Sequence, residues 1–187
     1  HLLAMLGADV IKIESVQRPD GMRFAGGFRA DVERWWEYSW VFHGVNSGKE
    51  SLTLDLESDS GRELLGRLVA DADVVVENFT PRVMENFGLG YDVLKGFNEK
   101  IIEVRMPGFG LDGPWRDRVG FAMTMEQLAG LAWITGYPDG LPTAPRGACD
   151  PLAGVHAAFL TVAALEHRGR TGRGQLVDLD DPLGLPH

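Results

Sequence analysis

One cysteine, Cys149, in 187 residues leaves no partner for an intramolecular disulfide. The core alone must hold the fold, which suits a reducing, cytoplasmic setting. No apolar run approaches ~18 residues and no signal-peptide pattern opens the chain, so neither a membrane span nor an export signal is expected. Basic charge is also scarce: 18 Lys and Arg stand against 27 Asp and Glu, a net charge of −9. That balance argues against a general nucleic-acid surface, and any anionic ligand must be met by a local basic or N–H-rich site. The five histidines are scattered without His-x-x-x-His spacing, so no metal site is predicted. No G-x-S-x-G is present and Cys149 has no base nearby in sequence, which leaves a serine or thiol triad unsupported.

What is present is a soluble globular composition, 44% hydrophobic and 24% charged, at the length of one ordinary domain. The chain enters at His1 directly into L-L-A-M-L-G, which reads as the last turns of a helix capped by Gly7. It closes on D-D-P-L-G-L-P-H, an irregular tail over 180–187, and both ends read as those of a fragment. Between them, strands are predicted at 9–14, 51–56, 73–77, 100–105 and 175–179. Helices are predicted at 58–70, 81–87, 91–97 and 119–134, with a long one from Pro151. Residues 16–48 read as irregular, with Trp35, Trp36, Tyr38, Trp40 and Phe42 filling a core or an interface. Strands separated by helices imply an α/β fold with a doubly wound parallel sheet and ligand chemistry at the strand exits.

Three segments invite a chemical reading. Residues 108–113 (G-F-G-L-D-G) match G-x-G-x-x-G, but Pro114, Trp115 and the charged run after them do not open a helix. A glycine loop needing tight turns is the better reading than a dinucleotide site. The arginines of H-R-G-R-T-G-R-G-Q, residues 167–175, complement a helix C-terminus, and Gly169 or Gly172 can end that helix. Asp150, in R-G-A-C-D-P-L-A-G-V-H, reads as a helix cap with Pro151 in the first turn. The same carboxylate, kept ionised by helix N–H groups, is a candidate nucleophile. His156, further along that helix, reads as a half-buried helix histidine rather than as a support of the site.

A wider pattern joins these segments. L-G-A-D-V-I-K-I-E, N-S-G-K-E-S-L-T-L-D-L, A-D-V-V-V-E-N-F-T-P, G-F-G-x-x-G-P, G-Y-P-D-G-L-P, D-P-L-A-G-V-H and A-A-L-E-H-R-G-R-T-G-R-G-Q-L-V-D-L follow in this order. Order and spacing resemble the class III CoA-transferases of the formyl-CoA transferase and carnitine CoA-transferase type, a superfamily shared with α-methylacyl-CoA racemases. The resemblance covers residues 2 to 179. It implies a partial Rossmann-like large domain over 1–179, lacking an N-terminal strand and a C-terminal small domain, in a homodimer whose subunits interlock.

The resemblance also implies an activity: CoA moves from an acyl-CoA to a carboxylic acid acceptor. No cofactor is tightly bound, and CoA and acyl-CoA are substrates. Asp150 takes the place of the family's nucleophile, which forms an acyl-aspartyl anhydride and then an aspartyl-CoA thioester. CoA contacts are implied at Asn78, Phe79, Leu54, Asn86, Phe87 and Arg82. Ser15 and Gly120 stand where some relatives have an arginine and a lysine for the CoA phosphates, and Arg18, Arg82 and Arg116 are the candidate substitutes. Where racemases place a histidine opposite the aspartate, this chain has Phe121, so the transferase reading is favoured. The alternatives are a racemase or epimerase, which needs an acid/base facing Asp150 from residues 119–126, and a non-catalytic CoA-binding or interface fragment.

Overall fold

The computed structural model describes residues 1–27, 29 and 31–179, so the tail expected at 180–187 lies outside the described residues. The chain divides into two compact units, with the boundary between Leu65 and Gly66. In the first, helix α1 (Leu2–Met5) turns through Gly7 into strand β1 (Val10–Glu14). β1 pairs in parallel with β2 (Lys49–Thr53), from Val10↔Lys49 to Glu14↔Thr53. β2 stops before the predicted end because β1 has run out. The Leu54 N–H makes a last bond to the Glu14 carbonyl at 3.2 Å, and an Asx turn at Asp55 follows.

The stretch expected to be irregular carries more structure than its glycines suggest. It holds two 3₁₀ turns, Gly21–Phe24 and Trp35–Tyr38, and helix α2 (Trp40–Asn46). Ser39 organises it. Its buried hydroxyl lies 2.7 and 2.6 Å from the carbonyls of Met22 and Ala25, and accepts the Phe42 N–H as the cap of α2. Trp35 packs edge-on against Phe24 and Trp36, and the Arg23 guanidinium lies 3.9 Å over the Phe42 ring. Trp35, Trp36 and Phe42 thus pack locally, whereas Tyr38 and Trp40 are exposed.

Helix α3 (Asp59–Asp71) begins where the Ser58 hydroxyl accepts the Gly61 N–H. In the second unit, β3 (Val74–Glu77), β4 (Ile102–Arg105) and β5 (Gln175–Asp178) form a parallel sheet in the order β3-β4-β5. Helices α4 (Pro81–Phe87) and α5 (Tyr91–Phe97) have the predicted bounds. The predicted helix over 119–134 is broken into α6 (Ala122–Leu128) and α7 (Leu131–Ile134) by Gly130, whose φ of +76° suits glycine.

Helix α8 (Cys149–Thr171) leads into β5 and packs on the sheet through small side chains. Ala157 and Ala164 meet Ile102, Val104 and Leu179 in one buried cluster. Gly172, at φ +72°, ends the helix as the sequence allowed. Arg168, in its last turn, donates to the carbonyls of Asp73 and Lys100 and to the Asp73 carboxylate. The C-terminus of α8 is thus fixed at the entry ends of the strands. About 27 Å of helix separate Arg168 from Asp150, while a four-residue strand advances about 13 Å. Asp150 accordingly stands at the strand-exit end of the sheet.

Candidate active site

The strand exits are held by a row of charge. Glu77, Arg105 and Asp178 are the last residues of three adjacent strands and lie side by side in register. Arg105 Nε donates to Glu77 Oε1 at 2.5 Å in a buried pair. Each flanking carboxylate also holds an exit loop. Glu77 Oε2 accepts the Phe79 N–H at 2.7 Å, and Asp178 Oδ2 accepts the Leu111 N–H at 3.2 Å. Burial pushes the Glu77 carboxyl up, against the lowering effect of Arg105 and the Phe79 N–H.

The structure revises the local reading of Asp150. Helix α8 starts one residue before it, at Cys149, so Asp150 and Pro151 lie inside the first turn and Ala148 is the cap residue. The capping carboxylate comes from elsewhere. Glu126 of α6 is fully buried, and its Oε1 accepts the N–H groups of Gly147 and Ala148, both at 2.7 Å. Its Oε2 accepts the Arg146 N–H at 3.1 Å. Arg146 and Gly147 have positive φ, +63° and +110°, which turns three successive N–H groups toward one acceptor.

With capping done by Glu126, the Asp150 side chain is exposed and hydrogen-bonded to no described residue. Its carboxyl is raised from the usual aspartate value, first by the protein around it and then by the Glu126 charge. The helix N–H groups expected to favour its ionised form do not outweigh desolvation and the like charge, so the shift is upward. Beneath it Cys149 is buried with Phe109, Ala122 and Met125.

The expected CoA contacts fall into two places. Asn78, Phe79, Arg82, Asn86 and Phe87 gather at the exit of β3 and along α4, where the Phe79 and Phe87 rings meet edge-on at 6.4 Å. Phe79 is 43% exposed, so it is no core plug. Leu54 belongs to the other unit and is buried there. Of the candidate phosphate anchors, Arg18 and Arg82 are exposed, whereas Arg116 is paired with Glu85. Gly120 has a steric reason to lack a side chain: a Cβ there would lie 3.0 Å from Met125 Sδ and 3.4 Å from the Gly108 Cα. Gly108 and Gly120 thus serve close packing, and Gly110 and Gly113 take positive φ, +73° and +80°, as the tight turns of the loop require. Phe121, at the start of α6, is 70% exposed, and the exposed His156 bonds the Leu152 carbonyl at 2.9 Å.

Glu126 was not singled out by sequence. Its signal is present nonetheless: with Ala122 and Met125 it occupies the buried face of α6, and a carboxylate there demands a partner. The Glu77–Arg105 pair carried a similar signal, opposite charges at the ends of two adjacent strands.

Comparison with known proteins identifies the family. Residues 1–181 match CoA-transferase family III. The chain is 41% identical over 180 residues to succinyl-CoA–D-citramalate CoA-transferase of Chloroflexus aurantiacus, covering 96% of this chain and 44% of that protein. It is 36% identical to formyl-CoA:oxalate CoA-transferase of Streptomyces avermitilis, over 96% of this chain and 42% of that one. The crystal structure of a CAIB/BAIF family protein from Brucella suis superposes with a TM-score of 0.85 at 39% identity, over 95% of this chain and 47% of its own. The chain therefore spans under half the length of these relatives. Over the span that it does share, it belongs to CoA-transferase family III.

Proposed function

We propose that the protein moves CoA from an acyl-CoA to a carboxylic acid, with Asp150 as the covalent nucleophile. The observation that carries this reading is the division of labour at the start of α8. Glu126 does the capping, and Asp150 is left with a free, exposed carboxylate at the strand exits. A carboxylate whose affinity for protons is raised is also a better nucleophile once ionised.

The steps balance as follows. An Asp150 Oδ attacks the thioester carbonyl, the C–S bond breaks, and CoA leaves as thiolate, giving a mixed anhydride. The thiolate attacks the Asp150 carbonyl carbon, forming aspartyl-CoA and releasing the donor acid as carboxylate. The acceptor carboxylate then attacks aspartyl-CoA, and the thiolate returns to the acceptor carbonyl, freeing acyl-CoA and Asp150. One activated carbonyl persists throughout, on the donor, on Asp150 or on the acceptor, so each step is near thermoneutral. Backbone N–H groups of the exit loops are the candidates for the oxyanions.

CoA is assigned to the β3 exit, with Asn78, Phe79, Arg82, Asn86 and Phe87 as contacts. Several relatives are named for succinyl-CoA, which puts a short dicarboxylyl donor first among substrates to try. A homodimer is the assembly proposed. A racemase would need a second acid/base group opposite Asp150. Phe121 cannot serve, and Glu126 has both oxygens committed to backbone N–H groups. In the full-length protein, Asp150→Ala is expected to lower CoA exchange at least ~10³-fold with the fold intact, read by following CoA exchange between a panel of acyl-CoAs and acids. An alanine variant with undiminished transfer would end this reading.

A further inference from the structure

Glu126 is a fully buried carboxylate on α6, which packs against α8, and the transfer steps above make no use of it. Its three acceptor contacts go to Arg146, Gly147 and Ala148, the residues that deliver the chain into Asp150. Two of these have the left-handed backbone that Glu126 compensates, and one of them, Arg146, is not a glycine. Without an acceptor, three N–H groups would be stranded at the helix start and a costly backbone conformation would lose its support.

We propose that Glu126 is the positioning residue of this site: its buried carboxylate fixes the 146–148 backbone, and thereby the place of the Asp150 carboxylate, and its charge sets the field in which that carboxylate works. The inference rests on the reading of Asp150 as nucleophile. It goes beyond capping, because a neutral acceptor of the same shape could cap the helix but could not supply the charge. Among the described residues, Glu126 of α6 is the charge that acts on Asp150. The titratable neighbours on the chain around Asp150 are Arg146, the buried Cys149 thiol and His156, and the loop packed at Cys149 presents the apolar Phe109.

The sign follows directly. A like charge raises the Asp150 pKa, so activity that needs the ionised form is lost on acidification sooner than for an ordinary aspartate. Removing the Glu126 charge therefore moves the acid limb to lower pH.

The test uses the full-length enzyme in four forms: wild type, Asp150→Ala, Glu126→Gln and Ala148→Pro. Glutamine keeps an acceptor for Gly147 and Ala148 but loses the charge and faces the Arg146 N–H with a donor. Proline at 148 suits the native φ of −63° and deletes one of the three donors while Glu126 stays in place. Glu126→Gln is expected to shift the acid limb of kcat down by about half a pH unit or more. Both Glu126→Gln and Ala148→Pro are expected to lower kcat about tenfold, with KM for acyl-CoA changed less than about twofold. A folded Glu126→Gln enzyme with the wild-type acid limb overturns the inference, as does an Ala148→Pro enzyme with wild-type kcat should the glutamine variant not fold. Because Asp150→Ala is run alongside, an active alanine variant overturns the nucleophile reading itself, whereas an inactive one beside an unaltered Glu126→Gln overturns the role of Glu126 alone.

Discussion

Glu103 is fully buried in β4, and neither of its oxygens has a hydrogen-bond partner among the described residues. Arg105 Nε lies 3.8 Å away, but that guanidinium is already engaged with Glu77. Burial pushes the Glu103 carboxyl from 4.5 to about 7, with Arg105 opposing and Glu77 adding to the rise. A carboxyl raised in the folded state binds more protons there than in the unfolded chain. Its contribution to stability is complete below pH ~4.5 and is lost as pH rises toward 7. Glu103→Gln should therefore flatten that slope, raising stability at pH 8 by about 1–3 kcal/mol while adding nothing near pH 4.5. Urea unfolding across this range measures it, and parallel pH profiles for the two proteins would contradict it.

Residues of this kind show where sequence reading stops. Asp150 could be singled out because its neighbours in the chain carry a recognisable order. Glu126 was not, because its meaning lies in a contact twenty residues away, with N–H groups that any residue types could present. The cap assigned to Asp150 failed for the same reason: sequence shows which side chains can cap, and folding decides which one arrives first.

At the scale of elements, periodicity fared well wherever an element is fixed by its own apolar pattern. β3, α4, α5 and α8 lie within a residue or two of their predicted bounds, because Val-rich runs, Pro81, Gly88 and Gly172 define them locally. Misses came where a neighbour decides. β2 ends where β1 ends, and α2 forms in a stretch crowded with aromatics because Ser39 supplies its cap. The arginines after α8 were read as a helix stop, and Arg168 does more than that. It ties the helix to the starts of β3 and β4 through three acceptors, and so sets the axial position at which the far end of α8 presents Asp150. Arg168→Ala should cost about 1–3 kcal/mol in unfolding free energy. Thermal or urea unfolding would show it, and an unchanged midpoint would mean that the packing of Ala157 and Ala164 alone places the helix.

For the whole molecule, the α/β class with parallel strands was readable from alternating strands and helices, and the family follows from segments spread along nearly the full chain. The acidic balance means that any anionic ligand must be met by local groups, since bulk charge repels it. The division into two units was not legible, because α3 runs unbroken through the boundary and no linker composition marks it. The central claim, that the exposed Asp150 carboxylate is where the acyl group is held, belongs to the complete enzyme. The most direct measurement is peptide mass spectrometry after incubation of the full-length protein with acyl-CoA and quenching in hydroxylamine. The account expects a hydroxamate on the peptide carrying Asp150, dependent on acyl-CoA. An enzyme that transfers CoA while that peptide stays unmodified, or carries the label elsewhere, would contradict it.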